Sequence, residues 1–131
     1  MASDVSEQLR AEVASRAGYR CEYCLIHEDD TGFPHQVDHI LSRKHDGASS
    51  LENLAYCCVL CNRYKGSDVA SIDPVTGEAV RLFHPRRDRW ADHFRMDSEV
   101  IEPLTESGRA TVRLLRLNVA ERVAERALLS R

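Results

Sequence analysis

Four of the five cysteines fall into two Cys-x-x-Cys pairs with the spacing of a metal site. The pairs are Cys21/Cys24 and Cys58/Cys61. Two cysteines in such a tight turn can face one ion, so each pair supplies half of a tetrahedral four-thiolate zinc site, with Zn–S bonds near ~2.3 Å. The pairs are separated by more than the roughly 15–20 residues of the usual pattern. Zinc would therefore clamp the two ends of an inserted unit.

The polar residues that could do chemistry lie in or just after this unit. They are the adjacent pair Asp38 and His39, then Asn53, then Asn62, which directly follows the last paired cysteine. An Asp-His pair by itself is typical of a surface turn. A catalytic interpretation of Asp38 and His39 therefore depends on their order along the chain with both cysteine pairs, Asn53 and Asn62. The fifth cysteine, Cys57, neighbours a paired one and is expected to point away from the ion.

Composition is that of a globular protein. Of the 131 residues, 43% are apolar and 30% are charged, which excludes a disordered chain and predicts one domain over residues 1–131. The first residues lack the apolar segment of a signal peptide, and no apolar run approaches the roughly 20 residues of a membrane span. We therefore expect a cytoplasmic protein, with no membrane association, whose reduced thiols bind metal rather than form disulfides.

Net charge gives little support to nucleic-acid binding by itself. The formal charge is −3, but a local basic face is sufficient for binding to phosphates. The densest basic cluster is Arg86, Arg87 and Arg89 beside the single Trp90. Basic residues next to an aromatic ring are typical of a nucleic-acid surface, whereas a lone Trp is equally typical of a core. Both interpretations stay open.

Hydrophobic periodicity predicts the elements that position these residues. Residues 4–17 predict a helix with a capping box at Asp4 and Glu7. Residues 35–41 predict a short strand, and a helix is expected to begin at Asn62 and to last about one turn. The candidate pair Asp38-His39 therefore lies on a strand.

The C-terminal part predicts a second group of elements. Residues 79–83 predict a strand, and residues 93–96 and 100–102 predict a hairpin. Residues 105–117 and 118–129 predict two helices, the second of which is expected to start with a capping box at Asn118.

Four sequence blocks, taken in order and spacing, resemble the HNH endonuclease family. The blocks are Cys-x-Tyr-Cys at 21–24, His-Gln-Val-Asp-His-Ile at 35–40, Glu-Asn-Leu at 52–54 and Cys-Val-Leu-Cys-Asn-Arg-Tyr-Lys-Gly at 58–66. The resemblance implies a ββα-metal fold in which a hairpin and a helix grip one divalent ion, with a separate structural zinc. The expected fold class is α+β: an N-terminal helix, a zinc-stapled HNH core at 18–70, and an extension at 71–131, a hairpin plus helices, packed on that core.

The resemblance also implies roles for the polar residues. Hydrolysis of a phosphodiester needs an activated water and a cation for the charge that builds on phosphate. His39 is the candidate general base, because an imidazole is largely neutral at pH 7 and can take a proton from water. Asp38 and Asn62 offer the oxygen ligands that a catalytic Mg²⁺ or Mn²⁺ prefers. Since adjacent strand residues point to opposite faces, Asp38 would face the ion and His39 the water. The family pattern has Asn53 orient the loop around His39.

Four basic residues flank these candidates and could hold a DNA backbone. They are Arg43, Lys44, Arg63 and Lys65, of which Lys65 is the strongest candidate because it lies on the predicted metal-binding helix. We therefore predict an HNH-type, metal-dependent endonuclease that hydrolyses DNA. Two alternatives stay open: a non-catalytic zinc-stabilised module that binds nucleic acid or protein, and a nuclease directed at RNA.

Overall fold

The computed structural model describes residues 5–129, which fold into a mixed α+β structure. Within that range there are five α-helices and three two-stranded antiparallel sheets. The helices are α1 Glu7–Arg16, α2 Val59–Lys65, α3 Trp90–His93, α4 Glu106–Leu114 and α5 Ala120–Leu129. The strands are β1 Gln36–His39, β2 Leu54–Cys57, β3 Ala70–Ile72, β4 Ala79–Arg81, β5 Phe94–Asp97 and β6 Val100–Pro103. The expected fold class is confirmed.

Helix α1 packs on the first sheet through one apolar face. Its N-cap is Ser6, whose side chain accepts a hydrogen bond from the Leu9 amide; the capping box expected at Asp4 lies outside the described residues. Val13 is fully buried against β2. Arg16 is exposed, yet it donates to the carbonyl of Leu54 at 2.5 Å and so ties the helix to the strand.

The first sheet and α2 form the ββα unit. Strands β1 and β2 pair antiparallel, with Asp38 opposite Ala55 and His39 opposite Leu54. Helix α2 begins at Val59, one turn before the predicted start at Asn62. The correction has a local cause: Cys58 is the N-cap, and its sulfur accepts a hydrogen bond from the amide of Cys61.

The C-terminal part contains the predicted hairpin, β5–β6, and two helices. Strand β3 was not predicted, because its three residues, Ala70–Ile72, have no buried face that would give a periodic signal. Thr105 caps α4 through a hydrogen bond from the Gly108 amide. The sequence predicted that Asn118 caps α5, and this prediction is wrong. The Asn118 side chain instead pairs with both backbone groups of Ile101 on β6.

One apolar cluster joins residues from both parts of the chain. It includes Tyr23 and Ala55 from the ββα region together with Phe94, Ile101 and Leu117 from the C-terminal part. The predicted division into a core at 18–70 and an extension at 71–131, within a single domain, stays a prediction.

Trp90 takes part in this packing. Its indole N–H donates to the carbonyl of Tyr23 at 2.9 Å, and its ring lies 5.1 Å from that of Phe94. The neighbouring Arg86 is bound to Glu22. Of the two open interpretations of this cluster, the structure favours packing for Trp90.

None of the helices in the described part of the chain has the length and apolar character that crossing a bilayer requires.

Candidate metal centre and active site

The four paired cysteines converge on one point. The Sγ atoms of Cys21, Cys24, Cys58 and Cys61 all lie within 4.8 Å of one another, and all four residues are buried. A tetrahedron with Zn–S bonds near ~2.3 Å has sulfur–sulfur edges of about 3.8 Å, and Cys24 Sγ lies 3.8 Å from Cys58 Sγ. The donor set and its size therefore fit zinc. Cys57 is buried but lies outside this group.

Each pair is shaped by its local backbone. In the first pair, the amides of Tyr23 and Cys24 both point at Cys21 Sγ at 3.4 Å. The turn is closed by hydrogen bonds between Cys21 N and the Ile26 carbonyl and between Leu25 N and the Cys21 carbonyl. In the second pair, the Cys61 amide, in the first turn of α2, points at Cys58 Sγ at 3.4 Å. These N–H groups favour negative sulfur, which is the form that binds metal.

The thiols of the cluster differ in the direction in which their pKa is shifted. Burial raises the pKa of Cys21 and Cys61, whereas hydrogen bonds from Cys21, Cys24 and Cys61 hold the pKa of Cys58 well below its usual range. A cation among the four sulfurs would stabilise their thiolate forms.

A cavity opens between β1 and α2. It has a volume of about 350 Å³. Its lining residues are Val37, Asp38, His39, Ser42, Arg43, Asn62, Gly66 and Ser67. Asp38 and His39 alternate along the strand, yet both line this cavity together with Asn62 from α2. Three of the four predicted active-site residues are thus brought together.

His39 is half-buried at the edge of this cavity. Its Nε2 lies 2.8 Å from Ser49 Oγ, so the ring is held by a hydroxyl from the loop between β1 and β2. Asn62 donates from its amide to Gln36 Oε1, which orients the amide group along β1.

Asp38 is the most enclosed of the set, with 4% of its surface exposed. Its Oδ2 accepts a hydrogen bond from the Tyr23 hydroxyl at 3.1 Å and lies 3.2 Å from the ammonium of Lys65. Burial raises the pKa of Asp38, and the nearby Lys65 charge opposes this. Both contacts involve the same carboxylate oxygen, Oδ2. Lys65 is therefore the ion-pair partner of Asp38.

Lys65 itself is 2% exposed and also donates to the Ile40 carbonyl at 3.2 Å. It cannot reach a nucleic-acid backbone from this position, which corrects the prediction of a DNA contact for Lys65. The other predicted contacts, Arg43, Lys44 and Arg63, are exposed, and Arg43 lines the cavity.

Asn53 lies outside the cavity and ties down the loop between the strands. Its Oδ1 accepts from the Leu41 amide at 2.9 Å, and its Nδ2 donates to the carbonyls of Leu41 and Ala48 at 2.9 and 2.8 Å. The backbone carbonyl of Asn53 also accepts from the Ile40 amide. The side chain therefore ties Leu41 to Ala48, the residue that precedes Ser49.

Sequence reasoning missed two residues of these sites and gave a third another role. Tyr23 binds Asp38 from inside the first cysteine pair, and Arg122 of α5 reaches the thiol cluster. Lys65, predicted as a DNA contact, is the ion-pair partner of Asp38. The Tyr in Cys-x-Tyr-Cys was visible as a motif residue, but its contact was not. For Arg122 no local signal exists, because it lies 61 residues from the cysteine it touches.

Residues 21–68 match the family model described as HNH endonuclease. The matched segment begins at the first paired cysteine and contains all four thiols and the cavity-lining residues. Neither the comparison with curated proteins nor that with solved structures gave a match.

Proposed function

Starting from the HNH domain at residues 21–68, we propose that the protein is a metal-dependent endonuclease that hydrolyses phosphodiester bonds in DNA. The observation that supports this most is the shared cavity: an imidazole, a carboxylate and an amide, from His39, Asp38 and Asn62, line one open space beside a closed thiol cluster. A four-thiolate site has no open position for substrate, so the chemistry belongs to the cavity and the thiols hold a structural zinc.

His39 is the proposed general base. It can accept a proton from water at one ring nitrogen while the other stays bonded to Ser49 Oγ. The Ser49 contact fixes the ring orientation, and Asn53 fixes the loop that carries Ser49. In this proposal Asn53 is a positioning residue, since it touches neither water nor phosphate.

Asp38 and Asn62 are the proposed ligands of the catalytic ion. Carboxylate and amide oxygens suit Mg²⁺ or Mn²⁺, and both side chains line the cavity. Such an ion would offset the negative charge that builds on the phosphate during attack. Lys65 and Tyr23 both contact Asp38 Oδ2, which fixes the position of the carboxylate, and the Lys65 charge favours its ionised form.

Exposed basic side chains around the cavity are the proposed contacts to the DNA backbone. Arg43 lines the cavity, and Lys44 and Arg63 are exposed. Contacts of this kind set the position of the strand without reading its sequence. The five cysteines are free thiols in the structure, in keeping with the proposed cytoplasmic location.

A cleavage assay tests the proposal. Zinc-loaded protein is incubated with supercoiled plasmid and Mg²⁺ or Mn²⁺, and nicked and linear products are followed. We expect cleavage in the wild type and a loss of about 10²–10⁴-fold in His39→Ala, as for removal of a general base. His45→Ala is the matched control, because His45 is an exposed histidine of the same loop; it should cleave normally.

The assay also separates the alternatives. DNA binding without cleavage, in both metals and with full zinc content, would favour a non-catalytic module. Faster cleavage of an RNA strand than of a DNA strand of equal sequence would favour an RNA-directed nuclease. Equal loss in His39→Ala and His45→Ala would remove His39 from the role of base.

A further inference from the structure

Arg122 of α5 is a buried cation that meets the thiol cluster. It is 4% exposed. From this position we infer that Arg122 is the charge-compensating residue of the zinc centre, so that the C-terminal helix forms part of the metal site. The inference rests on zinc binding and does not require the proposed nuclease function.

The contacts of Arg122 point to sulfur. Its Nη2 lies 3.2 Å from Cys61 Sγ and 3.7 Å from Cys58 Sγ, and its Nη1 donates to the Leu115 carbonyl at 2.8 Å. Among residues 5–129, no carboxylate forms an ion pair with this guanidinium. With zinc bound, the negative charge that it faces would therefore be that of the cysteine sulfurs.

Charge balance explains why a cation lies here. An arginine stays charged in proteins, and a buried charge is costly unless it is paired. A divalent ion with four thiolates retains two uncompensated negative charges in an apolar setting. Arg122 cancels one of them and donates hydrogen bonds to two of the sulfurs.

Arg126, one turn further along α5, provides the contrast. It donates to the carbonyls of Glu99 and Leu117 at 2.7 and 2.6 Å and to Asn118 Oδ1 at 3.0 Å. Both arginines dock α5 on backbone oxygens, and the charge of Arg126 also interacts with Cys24 and Cys61. Arg122 in addition donates hydrogen bonds to Cys58 Sγ and Cys61 Sγ. Arg126 therefore controls for helix docking and for a cation near the cluster, and the comparison isolates the contact of Arg122 with sulfur.

The test measures zinc release from the full-length, zinc-loaded protein to a chromophoric chelator at neutral pH. The variants are Arg122→Met, Arg122→Lys and Arg126→Met, each brought to one zinc per chain before the measurement. We expect Arg122→Met to release zinc at least about tenfold faster than the wild type, the range for loss of a residue that supports metal ligands. Arg126→Met should stay within about threefold of the wild type, and Arg122→Lys should stay closer to it than Arg122→Met does.

Two results would overturn the inference. One is zinc release from Arg122→Met at the wild-type rate. The other is equal acceleration in Arg122→Met and Arg126→Met, which would mean that the contact of Arg122 with sulfur has no special part in retaining the metal. Should Arg122→Met fail to fold, Arg122→Gln replaces it as the neutral variant. Release from Arg122→Lys as fast as from Arg122→Gln would then contradict a role for the charge.

Discussion

The Lys65 ammonium lies 3.2 Å from Asp38 Oδ2, and both side chains are almost fully buried. A buried ion pair contributes little net stability over an apolar pair, but removal of one partner leaves an uncompensated buried charge. In this protein the pair also fixes the carboxylate that we propose as a metal ligand. Its effects on stability and on activity can be separated.

The first prediction concerns this ion pair. We expect Lys65→Met to lower the free energy of unfolding by about 3–5 kcal/mol, because Asp38 is left buried without its partner. Adding Asp38→Asn should recover much of that loss. Denaturant unfolding of the zinc-loaded proteins measures both. Lys44→Met, which alters an exposed lysine, should change stability by less than about 0.5 kcal/mol. Equal effects of the two lysine variants would contradict the buried pair.

The second prediction concerns zinc. We expect Cys58→Ser to bind less than one zinc per chain and to unfold or aggregate, since structural zinc supplies on the order of 10–16 kcal/mol against a typical net stability of ~5–15 kcal/mol. Metal analysis and thermal melting provide the measurement. Cys57→Ser is the matched control: Cys57 is buried next to Cys58 but lies outside the thiol group, so this variant should keep its zinc. An unchanged melt for Cys58→Ser would end the zinc assignment.

The third prediction concerns the loop that carries Ser49. A Cβ at Gly47 would lie 1.7 Å from the Leu41 carbonyl oxygen and 2.9 Å from Asn53 Nδ2, so the backbone must move to admit one. We expect Gly47→Ala to raise hydrogen exchange over residues 41–49. We also expect a reduction in cleavage of about 10²-fold, the size of effect seen when a catalytic group is displaced by about 1 Å.

The control for this loop is Gly32→Ala, where an added Cβ meets nothing within 4 Å. It should leave both exchange and cleavage unchanged. Normal cleavage in Gly47→Ala, together with increased exchange, would mean that the loop does not position His39.

The fourth prediction concerns pH and the pair Asp73–Arg109. Asp73 accepts hydrogen bonds from Arg109 Nε and Nη2 at 2.8 and 2.7 Å, and the Arg109 guanidinium holds the pKa of that carboxyl well below its usual range. A depressed folded-state pKa stabilises the fold above the unfolded value of about 3.9, and this stabilisation is lost as pH falls below it. We therefore expect Arg109→Met to melt below the wild type at neutral pH, and the gap to shrink towards pH 3.

Thermal unfolding of both proteins from pH 8 downwards checks this. The comparison uses the pH values at which both proteins retain one zinc per chain, because acid protonates the thiols and releases the metal. A gap in melting temperature that stays constant over the whole range would show that Arg109 acts through packing and not through the charge of Asp73.

Local spacing let the sequence predict the thiol pairs, the β5–β6 hairpin and the strand that carries Asp38 and His39. Each of these depends on residues a few positions apart, where turn geometry and side-chain alternation fix the outcome. The start of α2 was misplaced for a related reason: Cys58 belongs to the thiol cluster and is also the N-cap of α2, and the cysteine spacing does not reveal the capping role.

The tertiary structure alone decided which charges are buried together. Lys65 has the sequence context of a surface lysine on a short helix, yet it packs against the strand and pairs with Asp38. Arg122 lies on an amphipathic helix 61 residues from Cys61, and only the docking of α5 brings the two together. Contacts of such sequence separation depend on how elements pack, and no local pattern encodes that packing. The sequence by itself therefore determined the two cysteine pairs and the strand that carries Asp38 and His39. Tertiary packing determined that Lys65 lies beside Asp38 and Arg122 beside the thiols.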